Sequence, residues 1–260
     1  MSAANGGWQS AVFNRRMLIC VFTGLASGMP LYVLLQLVPA WLRDQGVSLA
    51  EIGLFALVGI PYVWKFLWAP LMDRWIPPLL GRRRGWMFLC QLALIASIGV
   101  LGAFDPQRST WVIAWLAFGV AFFSASQDVA LDAFRREILP DRELGLGNAI
   151  HVQAYRISSL IPGSLSLILA DLLPWSTVFW ITAAFMLVAL CMSLLVDEPD
   201  SELPTGTGLR EAVVAPFSEY LQRRGWAGVC LVIGFMVLYK IGDNMATALA
   251  TPFYIDMGFS

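Results

Sequence analysis

Residues 70–86 read PLMDRWIPPLLGRRRGW, a short charged segment between two long apolar runs. Asp73 and Arg74 close the first run, and a row of three arginines at 82–84 precedes the second. Arginine clusters beside apolar runs are typical of loops on the cytoplasmic side of a membrane. The segment therefore predicts two membrane spans joined by a cytoplasmic loop.

The composition of the whole chain agrees with a membrane protein. Of its 260 residues 58% are hydrophobic and 13% charged, whereas soluble domains carry about 25% charged residues. The net charge of -1 gives no basic surface for nucleic acid, so we expect no nucleic-acid partner. The four cysteines lie in apolar runs without metal-ligand spacing. We therefore expect no metal site and no cofactor.

Seven apolar runs are long enough to cross a bilayer, which takes roughly 20 residues in a helix. They are Met17–Trp41, Ile52–Met72, Trp86–Phe104, Trp111–Ala133, Gly147–Leu169, Trp175–Val196 and Ala227–Phe253. With the N-terminus inside, 12 basic residues fall in cytoplasmic segments and only Arg43 and Arg108 fall outside. This bias predicts a multi-pass membrane protein with a cytoplasmic N-terminus.

The runs also predict a domain organisation. Residues 1–16 form a cytoplasmic N-terminus, 17–196 a six-helix bundle, 197–225 a polar cytoplasmic linker and 226–260 the first helix of a second half. Asp44, Gly46 and Ser48 recur as Asp256, Gly258 and Ser260, at a constant offset of 212 residues. Transporters built from two parallel six-helix halves have this arrangement. We therefore expect an all-α membrane protein with an incomplete second half, unable to transport alone.

The loop resembles the D-R…G-R-R loop of the major facilitator superfamily, through Asp73, Arg74, Gly81, Arg82, Arg83 and Arg84. The resemblance implies that the loop is a gate whose ion pairs exchange as the cytoplasmic side opens. Alternatively, the arginines only fix the orientation of the spans in the membrane. Residues 63–74, 124–133 and 239–243 more specifically resemble the AmpG-type muropeptide permeases. Span four lacks the buried arginine of many superfamily members, so their coupling rules do not transfer directly.

The resemblance implies import of 1,6-anhydro-muropeptides, cell-wall fragments of N-acetylglucosamine, anhydro-N-acetylmuramic acid and a short peptide, for peptidoglycan recycling. It further implies protons as the coupling ion, the lipid bilayer of a bacterial inner membrane as the surroundings, and the remaining C-terminal half of the same carrier as a partner. Two alternatives remain open. One is a carrier for another anionic or acylated solute, or an efflux carrier; the other is a non-transporting receptor or scaffold.

Ionisable residues inside spans are costly, about 2.5 to 3.5 kcal/mol each, and usually face a functional cavity. From the cytoplasmic ends of their spans, Asp128 lies roughly 8 Å deep, Lys65 roughly 10 Å and Arg156 roughly 14 Å, so they could share a layer. The predicted proton-coupling residues are Asp128, Asp132 and Asp243. The predicted substrate-binding residues are Lys65, Arg156, Lys240, Tyr32, Gln36, Tyr62, Gln127 and Gln153.

Other interpretations of these residues exist. A fixed pair of Asp128 with Lys65 or Arg156 would only hold the bundle together. His151, the single histidine, is more typical of a structural residue at a helix start than of a proton relay. The chain has no Ser/His/Asp set and no glycine-rich phosphate loop, so we do not expect an enzyme.

The topology can be tested with cysteines introduced into a variant without the four native ones. In intact spheroplasts, a membrane-impermeant thiol reagent should label Ser109→Cys and leave Ser201→Cys unlabelled, since these positions are predicted on opposite sides. The reverse labelling pattern would contradict the predicted orientation.

Overall fold

The structure is a computed structural model that describes residues 12–199, 218–236 and 238. The chain forms two compact units, Met1–Leu203 and Pro204–Ser260. Throughout the described residues the regular structure is helical. Residues 218–236 form a helix in the second unit. Most of the seventh predicted span, together with Lys240, Asp243 and Ser201, lies outside the described residues.

In the described part of the first unit there are six helical rods, α1 to α6, and a short 3-10 turn, Asp141–Glu143, before α5. α1 runs Arg15–Asp44, α3 Arg82–Leu101 and α4 Thr110–Ile138. The other three are built from consecutive segments. α2 comprises Leu49–Leu54, Phe55–Gly59, Ile60–Trp64, Lys65–Leu67 and Ala69–Arg74; α5 comprises Leu144–Ile157, Ile161–Leu165 and Ser166–Ala170; α6 comprises Trp175–Ala184 and Met186–Leu195.

Among the described residues, five helices are long and apolar enough to cross a membrane. They correspond to the predicted spans one, two, three, four and six. The fifth predicted span is helical as well, but a turn at residues 158–159 and a π-helix around Pro162 interrupt it. Proline has no N–H to continue the regular hydrogen-bond pattern, which explains the change in helix type.

Contacts between loops show that successive helices run in opposite directions. At one end of the unit, Arg15 pairs with Asp197 beyond α6 (2.9 Å), and Arg16 pairs with Glu143 before α5 (3.4 Å). At the other end, the Trp175 indole donates to Asp44 (2.7 Å). We call the first the charged end, because it also holds the arginine loop at 82–84. It is the end that the arginine bias assigns to the cytoplasm.

α1 and α5 pack with their backbones in close contact. A Cβ atom at Gly24 would overlap the carbonyl oxygen of His151, and one at Gly28 would overlap the carbonyl oxygen of Tyr155. Small residues four apart allow this approach, which supplies van der Waals packing and polar contacts where the hydrophobic effect does not hold helices together.

Buried polar side chains add hydrogen bonds between helices. Gln127 of α4 donates to the carbonyl of Ala26 in α1 (2.7 Å), and Ser193 of α6 donates to Gln91 of α3 (2.8 Å). Such bonds contribute on average about 0.6 kcal/mol in a membrane protein. Gln127, expected to bind substrate, thus uses its amide group to hold α1 against α4.

The α1–α5 contact can be tested by adding one methyl group. Gly28→Ala should lower the free energy of unfolding by about 1 to 3 kcal/mol, because backbone atoms oppose the new methyl and the helices must separate. Denaturation in mixed detergent micelles measures this change. Gly119→Ala is the matched control: its Cβ meets open space, so the better helix propensity should leave stability unchanged or raise it by about 0.5 to 1 kcal/mol. Equal effects would contradict the packing argument.

Candidate functional site

An ion pair inside the bundle forms the centre of the candidate site. Lys65 Nζ of α2 lies 3.8 Å from Asp128 Oδ2 of α4. Ser27 of α1 donates a 2.6 Å hydrogen bond to Asp128 Oδ1. The side chains of Asp128 and Lys65 are 15% and 34% exposed, so the pair is partly shielded while still accessible. The expected common layer of Asp128 and Lys65 is present, and Ser27 adds a third helix to it.

The irregular structure of α2 positions Lys65. Pro61 and Pro70 each begin a short helical segment, and Lys65 starts the 3-10 turn between those segments. A proline interrupts the hydrogen bonds of a continuous α-helix, so the chain changes helix type here. Lys65 therefore lies on a helix whose regular hydrogen bonding is interrupted on both sides.

Apart from a contact between the Tyr62 and Ser124 hydroxyls, several buried polar atoms beside the pair have no hydrogen-bond partner in the part of the chain that the structure describes. They are Tyr62 Oη, Ser124 Oγ and Gln127 Oε1. Tyr62 and Gln127 were predicted to bind substrate, and Ser124 lies one turn before Asp128 on α4. A buried polar atom without a partner costs about 1 to 3 kcal/mol. These atoms are consequently suited to bind a polar solute or solvent.

Other predicted substrate residues lie on α1 and α5. The rings of Tyr32 and Tyr155 are 5.5 Å apart, and Gln36 packs against Gly163. Gln153 and Arg156 are exposed on the surface of α5. Arg156 makes no ion pair with any residue of the described ranges, so the structure does not bring it to Asp128. Asp132, the second predicted coupling residue, pairs with Arg135 of its own helix at 2.9 Å.

The predicted gate residues form an ion network at the charged end. Arg83, only 6% exposed at its side chain, donates to Glu137 from Nε (2.9 Å) and Nη2 (2.8 Å) and also pairs with Asp73. Arg82 donates to the same Glu137 oxygen at 3.1 Å. The network therefore joins α2, α3 and α4. By contrast, Arg74 is exposed and pairs with no acidic residue of the described ranges.

Hydrogen bonds join the segment after α6 to the same loop. The Glu198 carboxylate accepts hydrogen bonds from the backbone N–H groups of Arg83 (2.7 Å) and Arg84 (3.0 Å), which caps the start of α3. Arg84 donates to the carbonyls of Ser193 (3.0 Å) and Leu194 (2.8 Å) at the end of α6. Gly81 precedes α3 with φ of 84°, a conformation that favours glycine.

Sequence reasoning did not single out Ser27, Glu137 or Glu198. Ser27 lies in an apolar run, and a serine there carries no charge signal. Glu137 and Glu198 each follow an apolar run, and only their distance to the arginines identifies their role.

An α-helical membrane unit with a charge pair held between three of its helices is typical of a transporter. The chain belongs to the Major Facilitator Superfamily, whose family model matches residues 20–260, and so to a family of transporters and not of enzymes. The predicted fold and class are thereby confirmed.

Individual relatives give a more specific comparison than the family model does. An uncharacterized protein of Haemophilus influenzae is 50% identical over 253 residues, covering 96% of this chain and 60% of the relative. The anhydromuropeptide permease of Escherichia coli K12 is 41% identical over 247 residues, which cover 94% of this chain and 50% of the relative. A putative AmpG-type transporter of Rickettsia felis is 30% identical over 247 residues, which cover 91% of this chain and 59% of the relative. The resemblance to the muropeptide permeases is confirmed, and the chain spans 50% to 60% of the length of these three relatives.

The network around Arg83 predicts a specific stability effect. Arg83→Gln leaves Glu137 and Asp73 without their shared cation, so we expect a loss of about 3 kcal/mol and a melting temperature in detergent lower by roughly 5 to 10 °C. Arg74→Gln makes the same chemical change in the same loop and should stay within about 0.5 kcal/mol of the native protein. Similar losses in both variants would mean that the buried network is not the cause.

Proposed function

We propose that this chain forms part of a proton-driven carrier that imports anhydro-muropeptides across a bacterial inner membrane, with its N-terminus in the cytoplasm. The observation that carries the proposal is the 41% identity to a named anhydromuropeptide permease over 94% of the chain. The Lys65–Asp128 pair supplies a chemical basis for coupling. The rest of the carrier, from a second half, would complete the central cavity.

In the proposed mechanism a proton competes with Lys65 for Asp128, and the substrate competes with Asp128 for Lys65. With Asp128 ionised, Lys65 and Ser27 neutralise and bind it. Protonation of Asp128 removes the ion pair and releases Lys65, whose ammonium group can then bind a carboxylate of the substrate peptide. Deprotonation on the other side restores the internal pair and displaces the substrate. Substrate binding and proton binding thus favour each other, as symport requires.

The remaining predicted residues suit the sugar part of the substrate. Tyr32 and Tyr155 offer neighbouring aromatic faces, Tyr62 adds a buried hydroxyl, and Gln127 Oε1 has no partner among the described residues. Gln36, Gln153 and Arg156 are exposed on the same unit and available for further polar contacts. Lys240 and Asp243 remain proposed contributors from the seventh helix, and Asp132 a proposed second coupling residue.

The loop from Asp73 to Arg84 is proposed to take part in closing the cytoplasmic side. Within the first unit its ion pairs hold α2, α3 and α4 together. Arg74 is the proposed contact to another part of the carrier, since it is exposed and has no described acidic partner. Exchange of these pairs would accompany opening.

The decisive test is Asp128→Asn in the full-length carrier, reconstituted in vesicles with labelled anhydro-muropeptide. One coupled proton across one pH unit supplies about 1.4 kcal/mol, enough for about tenfold accumulation of substrate. Asparagine keeps the size and hydrogen bonding of Asp128 but cannot exchange a proton. We therefore expect accumulation against the gradient to disappear while folding persists.

Asp105→Asn is the matched control, because this aspartate is 52% exposed and has local partners, the Arg108 side chain and the backbone N–H of Gln107. It should accumulate substrate like the native carrier. Unchanged accumulation by Asp128→Asn would refute the coupling role, and loss of the folded protein would favour a purely structural pair. Failure of the native carrier to accept anhydro-muropeptide, with uptake of another anionic solute, would replace the proposed substrate.

A further inference from the structure

An apolar groove lies between α1 and α6 at the charged end of the first unit. Its volume is about 480 Å³, within the range of small-ligand sites. Of the described residues that line it, only Arg15 is charged. Most of the apolar lining comes from Leu18, Ile19 and Phe22 of α1 and from Leu187, Cys191 and Leu195 of α6. The groove therefore combines long apolar walls with one cation.

The spacing of the lining residues explains how the groove forms. On α1 they fall at positions 15, 18, 19 and 22, about half a turn of helix away from Gly24, which faces α5. On α6, positions 187, 191 and 195 recur every four residues and share one face. Met192 is buried at the floor, whereas Leu18 and Leu195 are 56% and 77% exposed at the rim. The groove is therefore open along the flank of the unit, away from the α1–α5 contact.

The groove has nearly the length of one bilayer leaflet. Leu187 and Leu195 are eight residues apart, which is about 12 Å along α6. The hydrocarbon core of a bilayer is about 30 Å thick, so one leaflet takes up about 15 Å of it. Arg15 lies at the mouth, beyond Leu195, because it pairs with Asp197 (2.9 Å). An acyl chain in the groove would thus reach from the membrane interface to near the midplane, with its headgroup beside Arg15.

The charge at the mouth is available to an anion. The Arg15 and Asp197 side chains are 67% and 83% exposed, and an ion pair this exposed is weak. Arg15 donates to Asp197 from Nη2, whereas a guanidinium group carries five N–H donors. Arginine binds a phosphate group well, since two parallel N–H groups match two phosphate oxygens. Arg15 can therefore bind a phosphodiester at the end of the groove.

We propose that the groove between α1 and α6 binds a phospholipid with a net negative charge from the leaflet at the charged end. One acyl chain lies along the apolar walls, and the phosphate binds Arg15. The single cation at one end and the length of one leaflet favour a lipid over a partner helix, which would continue past the midplane. The site is separate from the Lys65–Asp128 pair, so it does not depend on which solute the carrier transports.

Cys191 can report on occupancy, because it lines the groove and is exposed, whereas Cys20 and Cys90 are buried. The probe is the full-length carrier, delipidated in detergent, with Cys230 and any further exposed cysteine replaced by serine. Added lipid should slow the alkylation of Cys191 by N-ethylmaleimide. Phosphatidylglycerol should reach half of its effect at about a fivefold lower mole fraction than phosphatidylcholine with the same acyl chains.

Equal action of the two lipids would overturn the proposal. A Cys191 thiol that stays unreactive in the delipidated carrier would overturn it as well, since another protein segment or a second copy would then cover the groove.

Arg15→Gln should remove the advantage of phosphatidylglycerol over phosphatidylcholine. Arg136→Gln is the matched control, because Arg136 lies at the same end, is 62% exposed and pairs with Asp141 at 2.9 Å, but does not line the groove. This control should keep the fivefold advantage. Equal losses in the two variants would point to general surface charge and would overturn the proposed site.

Asp197→Asn separates lipid binding from a purely structural role of the Arg15–Asp197 pair. Removal of the competing carboxylate should let phosphatidylglycerol act at a mole fraction up to about fivefold lower, the opposite direction to Arg15→Gln. Asp141→Asn, beside the control arginine, should change nothing. A weaker effect of phosphatidylglycerol on Asp197→Asn would show that Arg15 acts through its ion pair and would overturn the proposal.

Discussion

The backbone contact between α1 and α5 is the constraint on which the polar interior depends. Gly24 and Gly28 bring α1 so close to α5 that a single methyl group would not fit. Thr23, next to Gly24, is thereby placed beside His151 of α5, and from the same stretch of α1 Ser27 contacts Asp128 of α4. Lipid does not drive helices together by the hydrophobic effect, so packing by shape must do this. The polar site therefore depends on how these helices pack.

In the resulting interior, nearby groups balance the charge of Asp128. Asp128 has a cation at 3.8 Å and a hydroxyl at 2.6 Å, contacts that come from two other helices and offset the cost of burial. An ion pair that only holds helices together is most stable when two short hydrogen bonds join the ions. The longer Lys65–Asp128 distance, together with unpaired polar atoms nearby, instead leaves room for a competing ligand. This arrangement favours a site that exchanges partners over one that only holds helices.

Sequence reasoning predicted the helical class, the positions of six apolar spans and the shared layer of Lys65 and Asp128, because each depends on counting apolar residues along a helix. It placed Arg156 in that layer as well, although the structure leaves this side chain exposed. Depth along a span can be counted, but the direction in which a side chain points depends on how α5 is rotated and interrupted. Ser27, Glu137 and Glu198 were missed because their importance lies in partners distant in sequence.

The charged end shows how one loop can serve stability and motion together. Arg83 and Arg84 are engaged within the first unit: Arg83 with Glu137 and Asp73, Arg84 with the last carbonyls of α6. Every described contact of this network therefore stabilises the six-helix unit as a rigid body, which rocking-type transport requires of each half. A gate between halves must then use groups that the unit has not already paired. Arg74 meets that condition among the loop's described arginines, so in the proposed mechanism the structural contacts and the exchangeable contact belong to different residues of the loop.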